Sequence, residues 1–250
     1  MRHALKVLPF APLALLAACA DGGPSVETTD LDDIESDGDA EAARRALPAG
    51  DFLELSLGAK IVGPEGEEVK ARMENEAGAF ADITSYVACP AGITRCDPAS
   101  LPEGTVYTYV HIVYPGEDND PTTGSASGDD SSTVETADMF RLIRPAHGFT
   151  GNAGYAKAEA LSAMDADTDI VISCEDDAIA WTIEAGDGGN QWQQAEPLTF
   201  YWQSTVPPAG PAPAYEIFAN AVAAQGMGPY PAADTQAANA CARENRAPAG

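Results

Sequence analysis

Histidine is the side chain that most readily moves a proton near neutral pH, and beyond residue 18 this chain has two, His111 and His147. His111 sits in TVYTYVHIVY, where strand alternation sets it on one face with Tyr109 and Val113, the setting of a partly buried structural histidine. His147 lies in RPAHGFTG, a loop-like context better suited to a general base, but no serine motif accompanies it. GSASG at 124–128 has Ala126 where a nucleophile elbow needs serine. Neither GxxxxGK[ST] nor GxGxxG occurs, so phosphate-cradling chemistry is excluded and no motif requires a cofactor. Carboxylate pairs of the kind used in glycoside hydrolysis could be drawn from the 39 acidic residues, but their separation is a three-dimensional property. No residue is therefore assigned a catalytic role.

Calcium is the one ion the composition favours, because it takes six to eight oxygen ligands and Asp recurs at close spacing. Asp165, Asp167 and Asp169 are the leading ligand candidates, with Asp118 and Asp120 as further donors. An EF-hand is not formed: Ile170 stands where the loop needs glycine, and a second run beginning at Asp33 reaches Arg44 where a bidentate carboxylate is required. Solvated turns are the simpler account of these aspartates. Trp192, Tyr201 and Trp202 offer a different chemistry, since Gln191, Gln193, Gln194 and Gln203 interleave with them as amides would on a sugar-stacking surface. The same alternation puts Phe200 and Trp202 on one strand face, which is the pattern of an aromatic core.

Four cysteines lie beyond Cys19, namely Cys89, Cys96, Cys174 and Cys241. In an exported chain an even number reads as disulfides. The preferred pairing closes the short loop CPAGITRC through Cys89 and Cys96 and ties the chain end to the body through Cys174 and Cys241. CxxC spacing is absent, which disfavours a thiolate metal site.

Export is the expectation set by the first residues. Arg2, His3 and Lys6 are followed by the mostly apolar residues 7–17, too short a run to span a bilayer but the pattern of an export signal. Leu16-Ala17-Ala18-Cys19 then resembles the lipobox of bacterial lipoproteins. That resemblance covers the leader alone. It implies that Cys19 becomes the mature N-terminus with acyl chains on sulfur and nitrogen, and more than one chain makes a stable membrane anchor. Ala20 in place of Asp points to the outer rather than the inner membrane if the cell is Gram-negative.

Removing Arg2 and Lys6 with the leader leaves 11 of the 13 basic residues against all 39 acidic ones, a formal charge of about −28. Such charge opposes binding to phosphate backbones, so nucleic acid is excluded as a partner. An envelope protein or glycan is the partner class that remains. Residues 19–49 are acidic and poor in large apolar groups, the composition of a disordered tether.

The elements that must position any site read as strands. FLELSLGAKIV at 52–62 alternates, 105–114 is dense in β-branched and aromatic residues, and further strands are expected at 67–75, 79–88, 138–144, 153–163, 168–174, 178–184, 197–205 and 213–222. YAKAEALSAM at 155–164 could be helical instead, as could a stretch near 233–243 capped by Asp234. VPPAGPAPAY at 206–215 reads as an extended loop, and 116–136 as a mobile loop within one domain spanning 50–250. The fold expected is mainly β, an antiparallel sandwich with an immunoglobulin- or fibronectin-like arrangement and at most two short helices. The function expected is a lipid-anchored extracytoplasmic binding domain without enzymatic activity, the alternative being a carbohydrate module with optional calcium.

Overall fold

The computed structural model describes residues 46–63, 68–116, 137–164, 168–185, 192 and 196–242. Cys19, the leader, residues 19–45 of the expected tether and the loop residues 117–136 lie outside the described residues.

The described residues are mainly β with one short α-helix. Its longest local run of β-formers becomes β5 (Tyr107–Pro115), which pairs antiparallel with β4 (Gly78–Pro90) on one side and β10 (Leu198–Ser204) on the other. Alternation along these three strands turns Ile83, Val87, Tyr109, Val113, Phe200 and Trp202 to one face, where all are buried. Each large apolar side chain removed from water contributes roughly 1.5–3 kcal/mol, so this face holds the wall in place. From β4 the sheet continues through β3 (Val69–Asn75), β12 (Val222–Pro231), β11 (Pro208–Ala219), β6 (Ala137–Leu142), β9 (Ala178–Ala185) and β8 (Thr168–Glu175). From β10 it continues the other way, through β7 (Phe149–Tyr155) to β1 (Ala49–Asp51), which runs parallel to β7. Short β2 (Leu57–Lys60) pairs with the far end of β4.

The path nearly closes on itself. Leu47, just before β1, donates its N–H to Ile172 O of β8 at 2.9 Å, so the first strand stands in the seam between β7 and β8. Opposite walls touch through the interior: His111 on β5 lies 4.0 Å from the Tyr215 ring on β11, and Phe140 on β6 stacks 4.8 Å from Phe200 on β10. The walls face each other as in a sandwich, yet the described strands form one continuous mixed sheet, without the break that an immunoglobulin-like pair of sheets would need.

Two hairpins turn in two residues, Asp176-Asp177 between β8 and β9 and Asn220-Ala221 between β11 and β12, with φ of 46°, 65°, 50° and 61°. Positive φ at both positions matches the twist of the flanking strands, and Asp and Asn tolerate it better than most residues. Ala221 does not.

The helix α1 (Lys157–Met164) follows β7. Asp51 joins it to the preceding turn, its Oδ1 accepting from Leu53 N at 3.1 Å and Lys157 N at 3.4 Å. Glu159 of α1 accepts from Thr199 N at 2.7 Å, which docks the helix on the start of β10.

Several boundaries differ from those expected. The strand expected at 153–163 is β7 followed by α1, since the Ala-rich second half favours helix. The proline tract 206–215 is not a loop beyond Val206 and Pro207; it enters β11 at Pro208, with a cis bond between Gly210 and Pro211. Residues 233–243 form no helix through 242: Asp234 Oδ1 does accept from Gln236 N and Ala237 N, but only a turn follows. The sheet begins at Leu47, inside the expected tether.

Candidate functional site

The polar group best equipped for chemistry is sealed inside the sheet. Register places Ser85 of β4 directly opposite His111 of β5, and Ser85 Oγ lies 2.9 Å from His111 Nδ1 with both residues fully buried. His111 Nε2 has no hydrogen-bond partner and lies among the rings of Tyr215 and Phe140. Burial lowers the imidazole pKa to about 3, so the ring is neutral throughout the physiological range. Burial raises the Tyr215 hydroxyl, an effect that Trp202 partly offsets, and raises Tyr109 well above its ordinary value. Both phenols are spent on the backbone, Tyr215 donating to Pro229 O at 2.7 Å and Tyr109 to Val206 O at 2.9 Å.

A serine beside a histidine has the composition of a nucleophile and its base, but activation requires a substrate within reach. Here neither side chain meets solvent. The arrangement fixes the register of β4 on β5 and fills the interior with a satisfied hydroxyl. His147 is half-buried in the loop before β7; its carbonyl, not its ring, accepts from Ser204 Oγ at 2.7 Å.

The aromatic trio does not form a ligand platform. Trp192 is 1% exposed, Tyr201 1% and Trp202 0%. Trp192 donates Nε1–H to Glu196 O at 2.8 Å and meets Phe200 edge-on at 5.8 Å; Trp202 stacks on Tyr109 at 4.4 Å. Tyr201 points outward from β10 and is covered for a different reason. Its cross-strand partner is Gly154 of β7, which pairs in turn with Gly50 of β1. A Cβ built on Gly154 would come within 2.6 Å of Tyr201 Cε1, and one on Gly50 would strike the Tyr201 hydroxyl. The ring therefore lies across two glycines, replacing the side-chain packing they lack. Gln203 joins a neighbouring ladder: it accepts from Asn152 Nδ2 at 2.8 Å and donates to Thr108 Oγ1 at 3.1 Å. Gln191, Gln193 and Gln194 lie outside the described residues.

Of the calcium candidates, Asp169 is exposed and accepts from Ile170 N at 2.8 Å, an ordinary local turn bond. Asp165, Asp167, Asp118 and Asp120 lie outside the described residues. Among the described residues no cluster of three or more His, Cys, Asp or Glu is placed to hold a metal. The cysteines form two disulfides, Cys89–Cys96 and Cys174–Cys241, the pairing preferred from spacing. Cys89 and Cys96 are fully buried where their loop folds back over β2, with Ala59 N donating to Ile93 O at 2.8 Å.

Sequence reasoning did not find the outer-face ion pair. Arg141 of β6 and Glu216 of β11 are cross-strand partners, and the guanidinium donates to Glu216 Oε1 through Nη2 at 2.6 Å and Nε at 2.8 Å. Gln225 of β12 donates to the other carboxylate oxygen at 3.3 Å, and Glu175 lies 3.7 Å from Arg141 Nη1. Arg141 and Glu175, together with Asp176, Ala178 and Ala180, border a cleft of about 150 Å³. An anionic ligand would have to displace Glu216 to take the arginine fork, so the pair reads as structural. No protein-family model matches this chain, and neither a curated protein nor a solved structure is similar to it.

Proposed function

We propose that the chain is a lipid-anchored extracytoplasmic protein whose β-sheet domain binds an envelope protein or glycan and carries out no chemistry of its own. The observation that carries this reading is the lipobox-like Leu16-Ala17-Ala18-Cys19, followed by an acidic run that leads into a domain held by two disulfides. Disulfides persist in oxidising compartments, which agrees with export. Dual acylation at Cys19 would hold the domain to the membrane, and the strong negative charge would keep it off anionic surfaces between encounters. The Ser85–His111 pair is closed to a substrate, and burial of Trp192, Tyr201 and Trp202 removes the aromatic support for a carbohydrate module.

The test is metabolic labelling of expressing cells with an alkyne fatty acid, followed by detergent-phase partition. Wild type is expected to carry label and enter the detergent phase, and Cys19→Ser to do neither. Label retained in Cys19→Ser, or a wild-type chain recovered unlabelled in the aqueous phase, would refute the anchor.

A further inference from the structure

We propose that Cys174–Cys241 is a redox-sensitive latch on the seam of the sheet, opened by a dithiol reductant while Cys89–Cys96 stays closed. β7 and β8 do not pair with each other; both chain ends of the domain fill the space between them. β1 pairs with the second half of β7 at residues 153–155, and Leu47 bonds Ile172 of β8. At the level of Phe149 and Cys174, the seam is filled instead by the C-terminal strap, residues 232–242. Ala240 N donates to Phe149 O at 3.0 Å, Asn239 Nδ2 donates to Asp177 O at 2.9 Å, and Cys241 is bonded to Cys174.

The strap is otherwise held by Ala232 N donating to Pro207 O at 3.1 Å and by Ala240 packing against the core, with little buried area along the rest of it. Between 232 and 242 Cys241 alone is buried, and residues 233–236 are exposed. A segment with few buried apolar contacts opens at low free energy once its covalent tie is cut. The two disulfides also differ in access: Cys89 and Cys96 are both at 0% exposure, whereas Cys174 is partly exposed. Thiol–disulfide exchange requires a thiolate to reach a sulfur. A dithiol attacks one sulfur of Cys174–Cys241 to form a mixed disulfide, and its second thiol displaces the protein. Cys174 and Cys241 leave as thiols with two electrons and two protons gained, and the reductant becomes a disulfide.

Release of the strap uncovers the edges of β7 at Phe149 and of β8 at Cys174, between the Leu47 bridge and the bond from Ala146 N to Asp177 O at 2.9 Å. Such edges accept an extended strand from another chain. The rest of the sheet is hydrogen-bonded from strand to strand without the strap and keeps its shape.

Graded treatment of the folded protein with dithiothreitol, native alkylation and peptide mapping tests this directly. Cys174 and Cys241 are expected to be alkylated at reductant concentrations that leave Cys89–Cys96 bonded. Amide exchange is then expected to accelerate in 46–51, 149–155, 168–175 and 232–242, and to stay unchanged in 83–87, 109–113 and 200–204. Cys174→Ser/Cys241→Ser is expected to reproduce that exchange pattern with the near-ultraviolet signal of the Trp202–Tyr109 stack retained. The latch is overturned if Cys89–Cys96 opens first or together with the other pair, if selective opening leaves exchange at the seam unchanged, or if the double variant fails to fold.

Discussion

Acid should destabilise this fold through buried His111, and His111→Gln isolates that contribution. The folded imidazole titrates at about 3 because it is buried, whereas in the unfolded chain it returns to about 6.5. The groups that face it are Ser85 from β4, Phe140 from β6, Phe200 from β10 and Tyr215 from β11, none of them charged. Below pH 6.5 the unfolded chain binds a proton that the folded chain refuses, so stability is full above 6.5 and is lost as the pH falls towards 3. Each pH unit in that window costs about 1.4 kcal/mol, giving roughly 2.7 kcal/mol at pH 4.5, about 4 kcal/mol at pH 3 and a limit of about 5 kcal/mol below it. Gln cannot titrate but can still accept from Ser85 Oγ. The variant starts less stable at neutral pH, by about 1–3 kcal/mol for a polar replacement in a packed core, and the gap closes on acidification. Urea unfolding followed by tryptophan fluorescence at half-unit steps from pH 7 to 4 gives the difference directly. Parallel curves for the two proteins would refute the reasoning, as would an imidazole resonance of the folded protein titrating near 6.5.

Three further outcomes follow from named contacts. Ala221→Gly relieves positive φ in the β11–β12 turn and is expected to raise stability by about 0.5–1 kcal/mol, a melting shift of about 1–4 °C at this size; a loss of stability would mean the turn is not held in that conformation. Gly154→Ala drives a methyl into the Tyr201 ring and the Gly50 backbone, and should cost about 1–3 kcal/mol by calorimetry; an unchanged melting temperature would contradict the close approach. Loop closure over 67 residues against 7 predicts that serine replacement of Cys174–Cys241 lowers the free energy of global unfolding by about 4 kcal/mol and that of Cys89–Cys96 by about 2, so denaturation curves in the reverse order would be inconsistent with it.

The mainly β character was legible because each wall alternates: TVYTYVHIVY becomes β5 and FYWQ lies in β10 with Phe200 and Trp202 inward. β12 was not, and the reason is packing. Gly226 and Gly228 face Met73 and Tyr215, whose bulk takes the space that larger residues would otherwise fill, so the strand shows almost no apolar pattern of its own. The Ser85–His111 pair depended on the register of β4 against β5, and the connection from Ala91 to Val106 carries no tight-turn signature to set it. The aromatic run misled for a related reason. Tyr201 does point outward, but what lies beneath it is a glycine pair, Gly154 and Gly50, on strands far earlier in the chain, and single-chain alternation cannot report on cross-strand neighbours.

Under the anchoring proposed above, the position of β1 has a mechanical meaning. A pull on the chain at residue 46 acts along β1, parallel to its bonds' strand partner β7, and so loads the register Ala49 to Ala153, Gly50 to Gly154 and Asp51 to Tyr155 in shear. Bonds loaded in shear share the force and break together, whereas bonds peeled from one end break singly. The Tyr201 ring lying over Gly50 and Gly154 then acts as a brake on sliding, because moving β1 by one residue would bring a Cβ under the ring. Drag on the domain would be borne by the strand best placed to resist it.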